Sequence, residues 1–229
     1  MKKIIIAISS IWLLTVSSAM SISPSIGISG NMAVYAATGT EKLFNEAGTA
    51  VDTTIDEHGA FVAEYGSIFV EAALNDTISI GLDYASDFET PENVSNEDQG
   101  NQRTVSAEFN DLTTIYAKLN VPLGGTYIKV GYSQADVTSN ENGGSGNSYG
   151  NDTTDGFTVG VGYNHELTNG MSVRLEVTGT DYSDVSVNNG QTNKVEIDVK
   201  KSLAKSKDFN LNLEIKESSR KMFLSGEWD

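Results

Sequence analysis

From Ile26 onward this chain of 229 residues alternates apolar and polar side chains with a period of two, in segment after segment. That period puts one side-chain set on each face of a β-strand, and a helix cannot use it, because its apolar positions recur every three to four residues. Ile26, Ile28, Met32 and Val34 alternate with Gly27, Ser29, Asn31 and Tyr35; Ile68, Val70, Ala72 and Leu74 form a second row, and Ile78, Ile80, Leu82 and Tyr84 a third. The pattern returns at Ile115, Thr126, Phe157, Val173, Val195, Phe209 and Met222, giving ten candidate strands.

The connections alternate as well. Those at Asn75–Thr77, Pro122–Gly125, Thr168–Gly170 and Ala204–Asp208 are short, whereas Ala37–Ala60, Ser86–Arg103, Gln134–Asp155 and Ser183–Asn193 are long and polar. In the Thr168–Gly170 loop, Gly170 is expected to take the left-handed conformation. Short and long connections at opposite ends describe an all-β, antiparallel up-and-down transmembrane β-barrel of 8 to 10 strands, ten by this count. A soluble secreted β-sandwich or lipocalin-like binding protein is the competing reading, with the apolar face turned inward.

The polar face separates the two. It carries Glu71, Asp83, Lys118, Lys129, Arg174, Glu176, Glu196 and Asp198 among glycines, serines and threonines. In a membrane barrel these charges line the lumen and can pair there. On the apolar face, Tyr84, Phe109, Tyr132 and Phe157 cluster at the long-loop ends of their strands, and Tyr163, Phe209 and Trp228 at the short-turn ends. Those are two aromatic girdles bounding an apolar band.

The N-terminus carries an address. Lys2 and Lys3 precede the apolar run Ile4–Val16, and Ser17-Ser18-Ala19 supplies small residues at a cleavage site, so residues 1–19 are expected to be a secretory signal peptide and 20–229 the barrel domain. A membrane anchor would need a longer apolar run. A formal net charge of -16 repels polyanions and argues against nucleic-acid binding, and with Cys 0 there is neither a disulfide framework nor a thiolate metal site.

The segment GFTVGVGYNHELTNGMSVRLEV (Gly156 to Val177), the glycine-rich alternating strands and the final MFLSGEW resemble the small outer-membrane β-barrel proteins of Gram-negative bacteria, of the opacity type and the barrel domain of outer membrane protein A. The resemblance implies an outer-membrane location and contact with outer-membrane lipid and lipopolysaccharide. It also implies insertion by the barrel-assembly machinery through the C-terminal strand. Two departures stand out: the relatives have eight strands, and their terminal aromatic is usually the last residue, whereas Asp229 follows Trp228 here.

No catalytic set, metal-ligand set or cofactor motif emerges. Asp56-Glu57-His58 resembles the Asp/His half of the omptin protease site, but the paired aspartates of that family are missing. His165 lies beside a short turn without a serine partner, and Gly143-Gly144-Ser145-Gly146 lacks the lysine of a phosphate loop. The long loops are acidic, with Glu41, Asp52, Asp56, Glu89, Glu92, Asp136 and Asp152 among their acids against Lys42 and Arg103. Since no loop has the spacing of a calcium loop, solubility and a high-salt habitat is the first reading of that charge, and binding of divalent cations that bridge lipopolysaccharide phosphates the second. The expected function is therefore that of a structural or surface-contacting barrel, not an enzyme, with its lumen filled by charged side chains. The alternative is a narrow passive diffusion channel, in which Gly81, Gly131, Gly160 and Gly162 leave space on the inner face. Counting from the Leu123-Gly124 turn puts Lys118 opposite Lys129, which must be balanced by acids: Glu71 and Asp83 on one side, with Glu176 and Glu196 or Asp198 beside Arg174.

Overall fold

The computed structural model describes residues 22–44, 50–90, 93–96, 102–142, 150–167, 170–188 and 193–207. The expected signal peptide, the glycine-rich loop tip and the strands expected at Phe209 and Met222, with Trp228, lie outside the described residues.

Among the described residues eleven strands form one antiparallel sheet: β1 Ser23–Phe44, β2 Val51–Ala73, β3 Ile78–Ala85, β4 Phe88–Glu89, β5 Asn93–Asn96, β6 Gln102–Asn120, β7 Thr126–Asn142, β8 Asp152–Glu166, β9 Ser172–Tyr182, β10 Val185–Asn188 and β11 Asn193–Lys207. The order β1-β2-β3-β6-β7-β8-β9-β11 closes on itself through a β1–β11 ladder, so eight staves complete a ring among the described residues. Short β4 and β5 continue the line of β3 against β6, and β10 continues β9 against β11.

The wall is inverted relative to a soluble barrel. Ile115 is 65% exposed and Phe157 59% exposed on the outer face, while Lys118 and Lys129 are each 6% exposed within. Apolar side chains meet the surroundings and charges are enclosed, the arrangement a bilayer selects and water does not.

Turn chemistry follows the sequence at three short connections. The Asn75 side-chain oxygen accepts from the amides of Thr77 and Ile78 at 2.9 and 2.8 Å, an Asx turn that reverses β2 into β3. The amide of Val121 donates to the Thr126 carbonyl at 3.0 Å, and Gly170 has φ of 74°, the left-handed conformation expected of it. The fourth short connection is corrected. Ala204 sits in β11, opposite Ala33 of β1 and Thr178 of β9, so Ala204–Lys207 is strand, not turn. Backbone pairing on both edges stabilises this stretch although its side chains lack an apolar phase.

The long connections are also corrected. The residues of Ala37–Ala60 mostly extend the β1–β2 ladder, which continues to the pair Phe44 and Val51. Likewise β6 and β7 remain paired up to Thr104 and Asn142. Beyond the apolar band both faces of a strand meet water, so the ladder persists after the alternation that revealed it has ended.

One irregularity reorients a side chain. Between Asn110 and Thr113, β6 contains one residue more than the facing part of β7, and Asp111 there has φ of 53°. A bulge of this kind exchanges the two faces of the strand above it. Phe109, expected in the outer girdle, therefore turns inward and packs against Tyr35 and Phe88.

Candidate functional site

The lumen is built in three storeys. At the short-turn end, Lys118 and Lys129 face each other across β6 and β7, as the turn count predicts. Like charges so placed repel, and the side chains separate toward different acids. Lys118 pairs with Glu71, and Lys129 reaches Glu176 at 2.8 Å. Arg174 crosses the lumen to the other oxygen of Glu71 at 3.1 Å. Tyr116 donates to Glu71 at 3.1 Å and Tyr127 to Glu176 at 2.7 Å. The lysines also exchange aromatic neighbours: Lys129 lies 4.2 Å from the ring centroid of Tyr116, and Lys118 lies 5.2 Å from that of Tyr127.

The glycines expected to leave a passage instead accommodate these rings. A β-carbon at Gly81 would lie 2.4 Å from Cζ of Tyr116, and one at Gly162 would lie 2.2 Å from Cζ of Tyr127. Both are direct cross-strand partners, so each ring lies flat over the glycine beside it. At Gly131 and Gly160 the space is taken by neighbouring backbone and by Tyr116 and Thr178.

A belt of small polar groups forms the middle storey. Thr114, Ser133, Thr158 and Thr180 hydrogen-bond in sequence across β6, β7, β8 and β9 at 2.7, 2.7 and 2.8 Å. Ser29 and Ser67 bond to each other across β1 and β2, and Asn31 donates to both. Asp83 on β3 accepts a hydrogen bond from Ser67. A cavity of about 60 Å³ lies here, bordered by Asp83, Lys129 and Glu176 below and by Tyr35, Tyr65 and Tyr182 above, with room for a few waters.

The third storey is aromatic. Phe88 stacks on Phe109 at 5.1 Å and on Tyr65 at 4.7 Å, and Tyr35 stacks on Phe61 at 5.0 Å. Ala33, Ala63, Ala85 and Ala135 are buried among the rings and leave them room. Sequence reasoning missed this storey, although Tyr35, Phe61 and Tyr65 interrupt the polar phase of β1 and β2.

Glu196 and Asp198 do not meet Arg174. The register of β11 sets Glu196 opposite Thr40 and Ser186, and Asp198 opposite Thr38, far above the ionic storey; the β9 residue beside Ser206 is already Glu176. Because β11 continues through the expected turn, its acids stand higher than a shorter strand would place them.

Of the girdle residues, Tyr132, Phe157 and Tyr163 are exposed on the outer wall. The hydroxyl of Tyr132 bonds to Asp155, and that of Tyr84 to Asp111 at 2.7 Å, so each ring carries its polar tip toward the hydrated end. His165 stacks on Tyr163 at 6.5 Å at the short-turn rim. His58 takes its place in the β2 backbone opposite Thr38, and the Thr40 hydroxyl donates to Asp56 at 2.8 Å. In the upper wall the Ser106 hydroxyl and the Asn140 amide hold the Glu89 carboxyl below the usual carboxylate range.

A family model and one solved structure agree with this architecture. The family model described as outer membrane protein beta-barrel domain matches residues 11–214. The outer membrane protein OprG from Pseudomonas aeruginosa is similar in structure at 16% identity with a TM-score of 0.51, over 84% of this chain and 96% of that one. The outer membrane protease OmpT from Escherichia coli aligns at 7% identity and a TM-score of 0.43, over 86% and 99% of the two chains. The attachment invasion locus protein Ail of Yersinia pestis aligns at 9% and 0.30, over 80% and 99%. No curated protein sequence matches significantly.

Proposed function

This chain belongs to the outer membrane protein β-barrel family, and from that premise we propose that it is a sealed barrel, which acts through its outer surface and projecting hairpins rather than by passing solutes. The observation that carries this reading is that the lumen is obstructed twice, by the Glu71–Lys118–Arg174 and Lys129–Glu176 ion pairs and again by the Tyr35–Phe61–Phe88–Phe109 stack.

Among the described residues, Lys118, Lys129 and Arg174 are each paired with Glu71 or Glu176 across the lumen. The narrow-channel alternative relied on the inner glycines, and tyrosine rings lie against two of them. We assign the barrel no catalytic role. Residues 1–19 act as the export signal, the short turns face the periplasm and the long hairpins face outward. Lipopolysaccharide and the barrel-assembly machinery are its expected partners, with divalent cations at the acidic rim.

Purified full-length protein in a planar bilayer tests the reading. It should give no steady conductance at modest voltage. Reproducible single-channel steps, with ion selectivity altered by Glu71→Gln, would replace the sealed barrel with a pore.

A further inference from the structure

The ring is closed only in its lower part. β2 pairs with β3 from Ala73 up to Ser67, and the last rung is the Ser86 amide donating to the Gly66 carbonyl at 2.9 Å. Above it β4 and β5 follow β6, while β2 continues to Val51 paired with β1 on its other edge. Among the described residues no strand pairs with this edge of β2 between Val51 and Tyr65. A slot thus opens in the upper wall, with the stacked rings of Tyr65 and Phe88 at its lower end.

The chemistry of the slot can be read residue by residue. Backbone groups alternate between the two edges of a strand. Because Gly66 faces β3, Glu64, Val62, Ala60, His58, Asp56 and Thr54 also direct their N–H and C=O groups into the slot. Such a row is a template for an added strand. Its two side-chain faces differ. Toward the interior stand Phe61 and Tyr65, with Phe88 across the gap, whereas the exposed outer side carries Glu64 and Asp56; on the opposite margin the carboxylates of Asp87 and Glu89 bond toward β6 and β7. That acidity disfavours a second copy of this same edge, which would set carboxylates against carboxylates.

We propose that this slot binds an extended cationic segment of a partner protein or peptide as an additional strand on β2, with apolar side chains turned toward Phe61 and Tyr65 and lysine or arginine side chains toward Glu64 and Asp56. The site lies above the sealed lumen and does not depend on whether the lumen conducts.

The probe is a peptide of about ten alternating valine and lysine residues, long enough to span the edge, added to full-length protein folded in detergent micelles. Calorimetry should show saturable one-to-one binding, and amide exchange should slow at alternate residues from Thr54 to Glu64. The same peptide N-methylated at every second residue cannot complete the ladder and should bind about tenfold or more weakly. Val62→Pro removes a donor that faces the slot and leaves the β1 ladder intact, so it should weaken binding while the barrel keeps its heat-modifiable gel mobility. Asp56→Asn with Glu64→Gln should lower the affinity and flatten its salt dependence. Equal binding of the N-methylated peptide would reduce the effect to charge adsorption and overturn the proposal. So would an absence of saturable binding, or slow exchange at those residues before any peptide is added, which would mean that the edge is already covered. If Val62→Pro does not fold, the N-methylated peptide on the unaltered protein decides.

Discussion

The ring of Tyr116 lies across Gly81, its partner on the adjacent strand, so closely that a β-carbon at residue 81 would stand 2.4 Å from the ring's Cζ. The tyrosine keeps this position while donating to Glu71, the acid shared by Lys118 and Arg174. Gly81→Val should therefore displace the ring, release that hydrogen bond and destabilise the barrel by about 1–3 kcal/mol. In Tyr116→Ala the same valine should cost much less. Urea unfolding of both singles and the double in lipid vesicles reads the coupling, and strictly additive losses would show that ring and glycine act independently.

Removing the shared acid is a harsher change than removing a base. Glu71→Gln leaves Lys118 and Arg174 enclosed together without their counter-ion, a loss of about 3–5 kcal/mol for a buried pair broken on one side. Adding Lys118→Met should restore part of it. The temperature at which the band shifts on a heat-modifiability gel should fall in the order wild type, double variant, Glu71→Gln. A double variant weaker than Glu71→Gln alone would contradict the shared pairing.

The two obstructions lie in series, and either alone should block current. Phe88→Ala with Phe61→Ala opens only the aromatic storey, and Glu71→Gln with Arg174→Gln loosens only the ionic one. Each pair should remain silent in a planar bilayer, and only the combined variant should conduct. Current through either pair alone would assign the whole barrier to a single storey.

The bulge at Asp111 makes a claim about direction. With Phe157 exposed on the outer wall and Phe109 packed inside, Phe157→Trp should be quenched by brominated lipid and Phe109→Trp should not. Strong quenching of both would remove the bulge from the structure.

The opposition of Lys118 and Lys129 was legible because a short turn fixes the register of the strands it joins, so that counting from Val121 and Thr126 suffices. The pairing of Arg174 with Glu71 was not, since it crosses the lumen between residues that no turn connects. Phe109 departs from the alternation because one additional residue in β6 exchanges the faces, and an aspartate at positive φ gives little warning of it. The hydroxyl belt is hidden for another reason: serines and threonines occupy every polar face, and nothing in their pattern marks Thr114, Ser133, Thr158 and Thr180 as one line across four neighbouring strands. Glu196 and Asp198 stand higher than the alternation suggests because Ala204–Lys207, a polar stretch without apolar rhythm, continues β11.

The length of β1 determines how far the molecule reaches. Its outward apolar residues run from Ile26 to Val34, and the strand then continues to Phe44. At about 3.3 Å per residue and a tilt of roughly 40°, the part beyond Val34 rises about 25 Å above the apolar band. The upper wall therefore stands clear of the lipid headgroups, like a mast stepped in the membrane. A segment captured high on β2 would be held away from the bilayer, within reach of molecules too large to approach the membrane itself.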